Sequence, residues 1–255
     1  MTEPVEVVRA AVLEGTPHGF LGRVGGASTG VVAGLNAGFG AGDDAAAVAE
    51  NRTRAGRAVL PGAPLVSVHQ IHSPTCVTVT EPWSDAHRPE ADALVTDRPH
   101  VLLGIVTADC APILLADRHA GVIGAAHAGW KGAIGGVVDN TIAAMGALGA
   151  KPAAIRAAIG PCIGQASYEV DDGFRVRFLD DDEGNARFFA AGKPGHWQFD
   201  LPGYVAARLA AAGVGQIQII GLDTYSDPER FFSFRRATHR GEPNYGRQLS
   251  LIGLD

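Results

Sequence analysis

The 255-residue chain is 46% apolar and 19% charged, with a formal net charge of −6. That composition supports a substantial core and excludes disordered and fibrous classes. The scattered Lys and Arg form no stripe that could release counterions from a nucleic-acid backbone, so such a partner is excluded too.

Residues 5–13 and 19–24 read as β runs broken by Gly15-Thr16-Pro17. Residues 25–42 are dense in glycine, but Val31, Val32, Leu35 and Phe39 interleave them, so an ordered loop is expected in place of a flexible linker. Asp43 or Asp44 caps a helix reaching Leu60, with Val48, Arg52 and Ala55 on related faces, and Pro61-Gly62 ends it. Strands are expected at 65–68, 75–80, 91–95, 101–106, 111–116 and 122–126, with a surface loop at 82–89. Short β runs in such close succession point to mixed or antiparallel pairing. Helical spacing covers 129–148 through Val137, Val138, Ile142 and Met145. A strand at 155–159 ends on Gly160-Pro161-Cys162, a helix spans 170–179, and Asp180 to Glu183 form a solvated turn. Asp200 caps a helix with Pro202 in its first turn, and 216–220, 231–234 and 249–252 close the chain as strands. With no internal repeat and no linker, residues 1–255 are expected to form a single domain. The start MTEPVEVVRA has acids where a secretory signal needs a basic, then apolar, segment, and no apolar run nears the roughly 18 residues of a membrane span. A cytoplasmic protein without membrane partners is expected.

Three cysteines do not make a disulfide framework in a chain of this size. Cys110 follows Thr107-Ala108-Asp109 between two apolar runs, and His127 ends a third. A thiol and an imidazole at the ends of neighbouring strands suit a metal or a nucleophile better than packing. A catalytic zinc takes three protein ligands and leaves one position open. Cys110 and His127 would need a third, and His69 or His72 could supply it. On an extended segment those two face opposite ways, with Gln70 on the side of His72, and periodicity does not choose between them. Cys110 with His127 could equally be a thiolate–imidazolium pair, oriented by Asp109 or another acid. Cys162 could line the same pocket, whereas Cys76 reads as structural. Asn36, Arg52 and Arg235 are further polar candidates, with Asp223 and Tyr225 within reach of Arg235. An Arg after an aromatic run can hold phosphate or carboxylate in bidentate fashion. His18, His87, His100, His119, His196 and His239 read as surface residues.

The segments VHQIHS, ADALVTD, TADCAPILLAD, AAHAGWKG, IGPCIG, YEV and FFSFRR resemble the YfiH-like family. Its members carry the labels laccase-domain polyphenol oxidase, purine nucleoside phosphorylase and peptidoglycan editing factor, and the likeness runs over nearly the whole chain. The resemblance implies an α+β fold, a four-layer α/β/β/α sandwich with mixed β-sheets. It implies a zinc site at His72, Cys110 and His127, with copper as the other metal to consider. It implies phosphorolysis of adenosine, inosine and methylthioadenosine together with adenosine deamination. In deamination by a zinc-bound hydroxide, Asp109 is the candidate proton carrier. Asn36, Arg52, Gln70, Cys162 and Arg235 are carried as pocket residues, nucleoside and phosphate as small-molecule partners, and the expected state is a monomer or small homo-oligomer. The alternatives are an amidase that removes a wrong amino acid from UDP-muramoyl peptidoglycan precursors through Cys110 and His127, and a non-catalytic binding module. A multicopper oxidase needs roughly ten histidines, mostly in HxH pairs. This chain has nine and no such pair, so the polyphenol oxidase label fails on ligand count.

Overall fold

In the computed structural model, which describes residues 4–255, strands β1 (Val7–Val8) and β2 (His18–Leu21) lead through the glycine-dense segment into helix α1 (Ala45–Val59). Strands β3 (Leu65–Ser67), β4 (Cys76–Thr78), β5 (Ala93–Thr96), β6 (Leu102–Thr107), β7 (Ala111–Asp117) and β8 (Val122–Ala128) follow, then helices α2 (Trp130–Ile134) and α3 (Val137–Ala147). Next come β9 (Arg156–Ile159), β10 (Glu169–Asp171), α4 (Asp172–Asp181) and the hairpin of β11 (Phe189–Ala191) and β12 (His196–Phe199). Helix α5 (Leu201–Ala211), β13 (Gln216–Ile219), α6 (Phe234–Arg240) and β14 (Gln248–Gly253) complete the order.

The strands form a five-stranded sheet, β1-β2-β14-β6-β3, a six-stranded sheet, β13-β9-β7-β8-β5-β4, and a small sheet, β10-β12-β11. Both large sheets are mixed. β3 runs parallel to β6, and β13 to β9 and β4 to β5 are parallel, while the inner pairs are antiparallel. This is the mixed-sheet α+β class that the sequence indicated.

Strand β7 is buried along its whole length, so it reads as a continuous apolar run instead of an alternation. Ile113 and Leu115 join a cluster with Val138, Ile142 and Met145 of α3 and with Val205 and Leu209 of α5. Leu114 and Ala116 point the other way, into a cluster with Leu103 and Ile105 of β6 and Ile252 of β14. A third cluster joins Ala55 and Val59 of α1 to Leu102, Leu249 and Leu251.

Asp44 caps α1 by accepting from the amide of Ala46, and Asp200 caps α5 by accepting from Gly203. Four expectations are corrected. The helix expected over 129–148 is two helices, because Gly136 turns the chain through φ 94° between them, a conformation open to glycine. Residues 231–234 are not a strand: the Ser233 side chain accepts from the amide of Arg236 and starts α6. The run 5–13 contains only the two-residue β1 and a helical turn at Ala11–Leu13. His18, expected at the surface, is buried, with one ring nitrogen on the amide of Ala10 and the other on the carbonyl of Thr16. Among the described residues no helix is long and apolar enough to cross a membrane.

Because Leu114 is wholly buried between elements of both large sheets, Leu114→Ala should cost about 2–5 kcal/mol in urea unfolding. Val176→Ala, on the exposed side of α4, should stay within about 0.5 kcal/mol.

Candidate metal centre

Register brings the site together at one end of the six-stranded sheet. Pro112 of β7 stands opposite His127 of β8, so Cys110, just before β7, lies beside the exit of β8. Ala93 of β5 pairs with Ala126, which sets Asp92 next to His127, and the His127 amide donates to the Asp92 carbonyl at 2.7 Å. His72 comes from the loop between β3 and β4. The ligand atoms of His72, Cys110 and His127 lie within 4.8 Å of one another. Cys110 Sγ is 3.8 Å from His72 Nε2, and the two imidazole rings meet edge-on at 4.7 Å. Gly129 makes this approach possible: a Cβ there would stand 2.8 Å from His72 Cδ2 and 2.9 Å from Cys110 Sγ.

Asp92, to which sequence reasoning gave no role, holds the arrangement. It is wholly buried, and its carboxylate accepts from His127 Nδ1 at 2.7 Å. The same carboxylate accepts from the amides of Ile71, His72 and Ser73 and from the Ser73 hydroxyl. A metal-binding histidine characteristically gives its second ring N–H to such a group, which fixes the tautomer and frees the other nitrogen. His72 adopts φ 61° and Asp109 φ 83°. Left-handed backbone at residues other than glycine is strained and gathers at functional sites.

The donor set fits a metal. One thiolate and two imidazoles suit zinc, whose bonds of about 2.0 Å to nitrogen and 2.3 Å to sulfur place tetrahedral ligand atoms roughly 3.3–3.8 Å apart. Without a metal the electrostatics favour a thiolate at Cys110 beside an imidazolium at His127, so a metal would meet the ligating form of the sulfur and displace a proton from the imidazole. Burial opposes ionisation of the Cys110 thiol, but the His127 and His72 imidazoles outweigh it and pull its pKa below the ordinary range. Burial likewise opposes protonation of His127, and the Cys110 sulfur and Asp92 together raise its pKa. Burial would raise the Asp92 pKa, but its hydrogen bonds with His127 and Ser73 bring it down to about 2. The other thiols are inert by comparison: burial pushes Cys76 up to about 12 and Cys162 higher still.

Two cavities flank the cluster and share His72, Ala108, Cys110 and Phe234. One, of about 370 Å³, has walls of Ile71, Trp130, Tyr168, Leu201 and Phe234, with Lys131 and Arg235 as its cations. The other, of about 580 Å³, is lined by Gln70, Phe39, Arg88 and Arg247 among others.

Of the remaining sequence candidates, Gln70 and Arg235 line the cavities and others are placed differently from expectation. Asn36 is fully buried and holds the glycine-dense loop: its amide donates to Asp43 and its carbonyl accepts from the amides of Gly38 and Arg247. Arg52 is buried against Ser67 and Asp85 and lines a separate cavity. Both therefore lie away from the cluster. Asp109 borders the aromatic cavity, but Thr224, Ser233 and the amide of Arg235 occupy both its oxygens. It anchors the start of α6, although burial raises its pKa. Cys162 packs in the core, and its neighbour Ile163 lines the cavity instead. Gln70 exchanges hydrogen bonds with the backbone of Val106. Arg235 does line the aromatic cavity, with its guanidinium donating to the carbonyl of Glu169 and lying over Tyr168. Asp223 accepts from Ser167 and Gly164, and Tyr225 bonds His239.

A family model described as multi-copper polyphenol oxidoreductase laccase matches residues 17–255. A Deinococcus radiodurans protein named purine nucleoside phosphorylase is 40% identical over 259 residues, covering 100% of this chain and 95% of that protein. A Streptomyces griseus protein named purine nucleoside phosphorylase ORF3 is 41% identical over 258 residues, covering 97% and 98%. Of solved structures, YlmD from Geobacillus stearothermophilus superposes with TM-score 0.87 at 31% identity over 100% of this chain and 97% of the other. Neisseria meningitidis NMB0706 gives 0.86 at 32% over 99% and 100%.

Two outcomes follow from the electrostatics. In metal-free protein at neutral pH, iodoacetamide should label Cys110 and leave Cys76 and Cys162 unmodified, as read by peptide mass spectrometry; equal labelling of all three would contradict the shifts above. Asp92→Asn should weaken zinc binding about 10- to 100-fold in a chelator competition assay.

Proposed function

We propose that this chain, which belongs to the family described as multi-copper polyphenol oxidoreductase laccase, is a zinc-dependent purine nucleoside phosphorylase with adenosine deaminase as a second activity. The observation that carries the reading is the convergence of His72, Cys110 and His127, with Asp92 behind them, at the mouth of an aromatic cavity. Relatives named purine nucleoside phosphorylase, about 40% identical over nearly the whole chain, support it. Copper oxidase chemistry is disfavoured, since a four-copper enzyme needs several metal clusters. Among the described residues His72, Cys110 and His127 form the one group that could hold an ion.

Zinc held there would supply a Lewis acid and lower the pKa of coordinated water. The protein's own residues do the rest. Trp130, Tyr168, Leu201 and Phe234 offer flat apolar walls against which a purine can stack. In phosphorolysis a phosphate oxygen bonds the anomeric carbon of ribose while the bond from that carbon to the base nitrogen breaks. The electron pair leaves with the base, which takes up a proton from the phosphate, and ribose 1-phosphate remains. In deamination water replaces the 6-amino group of adenosine and ammonia leaves. The reading treats residues 1–255 as one domain, with inosine, adenosine and methylthioadenosine as substrates. A reduced Cys110 suits the cytoplasm.

One observation favours a second reading. Cys110, His127 and Asp92 also stand in the order of nucleophile, base and orienting acid, which would serve an amidase acting on peptidoglycan precursors through a thioester. That enzyme would survive chelation and die on alkylation, whereas the zinc enzyme would lose activity to both.

Incubation of zinc-replete protein with inosine and phosphate should yield hypoxanthine and ribose 1-phosphate, and adenosine should yield adenine and inosine. Cys110→Ala should lower kcat/KM by about 100-fold or more. The absence of any product from the wild type would end the proposal.

A further inference from the structure

The larger cavity beside the cluster differs in chemistry from the aromatic one. Its lining includes Arg88, Arg247, Thr107, Gly38 and Gly40 and contains no carboxylate, in a chain whose net charge is −6. Among the described residues neither Arg88 nor Arg247 has an acidic partner within 4.0 Å. Arg88 donates to the carbonyl of Asp85 and lies over the Phe39 ring, which fixes its guanidinium without neutralising it. Arg247 lies over the Tyr245 ring and donates one nitrogen to the Tyr245 hydroxyl.

Two buried polar atoms on this lining lack any partner: Arg247 Nη1 and Thr107 Oγ1, the latter on a residue only 2% exposed. A guanidinium nitrogen and a hydroxyl buried without partners are costly, and a ligand that accepts from both removes the cost. Gly38 lets the Arg247 side chain pass close to the loop, since a Cβ there would stand 2.8 Å from Arg247 Cδ. The backbone of Arg247 is itself fixed, its amide donating to Asn36 and its carbonyl accepting from Ala37.

We infer that this cavity is a subsite for a tetrahedral oxyanion, phosphate either free or as an ester, gripped by Arg247 and Arg88 with Thr107 as a further donor. Guanidinium forks match phosphate oxygens in geometry and charge. The assignment rests on the phosphorylase reading for the anion's role as co-substrate, and it gives that role to neither Arg52 nor Arg235. Arg52 is already paired with Asp85 and lines another cavity, and Arg235 stands on the aromatic side.

Binding of inorganic phosphate, and separately of adenosine 5′-monophosphate, to the zinc-replete full chain can be measured by isothermal titration. Arg247→Gln and Arg88→Gln should each weaken phosphate binding about tenfold or more, while Arg235→Gln leaves it unchanged. Arg88 projects from a loop, so its variant stands independently of any misfolding in Arg247→Gln. Phosphate bound tightly and the monophosphate weakly assigns the subsite to the free anion; the reverse, with the same dependence on Arg247, assigns it to an ester. In turnover assays the same two variants should raise KM for phosphate and leave KM for inosine within about twofold. A wild type that binds phosphate through Arg247 but turns over no nucleoside would remove the activity and leave the subsite standing. Phosphate binding indifferent to both variants, or abolished only by Arg235→Gln, would overturn the inference.

Discussion

Asp92 carries no exposed surface, yet its carboxylate receives hydrogen bonds from Ile71, His72, Ser73 and His127. A buried carboxylate with fewer donors would neutralise itself by taking a proton; this one stays ionised because hydrogen bonding to the charged form outweighs desolvation. The consequence is geometric as much as electrostatic. Three successive amides converging on one acceptor force the chain to turn at His72, which accounts for its left-handed φ of 61°. The same carboxylate fixes the tautomer of His127. One side chain therefore aims two imidazoles, from segments far apart in sequence, at the sulfur delivered by the start of β7.

Asp109 and Cys110 divide the labour of the strand entry between them. The thiol faces the cluster, and the carboxylate turns to the wall, where Thr224, Ser233 and the amide of Arg235 hold it. That second anchor sets the first turn of α6, and with it Phe234 and Arg235, against the aromatic cavity. The two buried acids thus fix the ligands on one side and the cavity wall on the other. Both carboxylates are engaged by hydrogen bonds, while Asp109 also borders the aromatic cavity.

The central strands were legible because both faces of β7 and β8 are covered, and such strands write themselves as unbroken apolar runs. The caps at Asp44 and Asp200 were legible for an equally local reason. Cys110 and His127 were legible as polar residues at the ends of apolar runs, but the choice of His72 over His69 came from resemblance, since a face-alternation argument assumes extended backbone that His72 does not have. Asn36 and Arg52 misled because their partners, Arg247 and Asp85, are remote in sequence, and a polar residue in a loop or on a helix reads as available until its partner is seen. Asp92 had a signal that went unused: a lone acid entering the apolar run Ala91 to Val95, every residue of which is buried. An acid in that position must be paired or neutralised, and a histidine beside it in register is the obvious partner.

The division of the site into two compartments bears on the chemistry more directly than the cluster does. A hydrolytic enzyme requires one organic substrate and water, and water needs no compartment of its own. Here Phe234 and the cluster separate an aromatic cavity from a larger one bearing arginines and free of acids. A neutral heterocycle gains from the flat apolar walls of the first, which also carries Lys131 and Arg235. An anion gains from unpaired guanidinium groups, which a purine would leave unsatisfied. The two cavities meet at His72, Ala108, Cys110 and Phe234, so ligands held one in each would face each other beside the cluster. Two compartments opening on one cluster suit transfer of a group between two bound ligands, which is what the phosphorolysis proposed above requires.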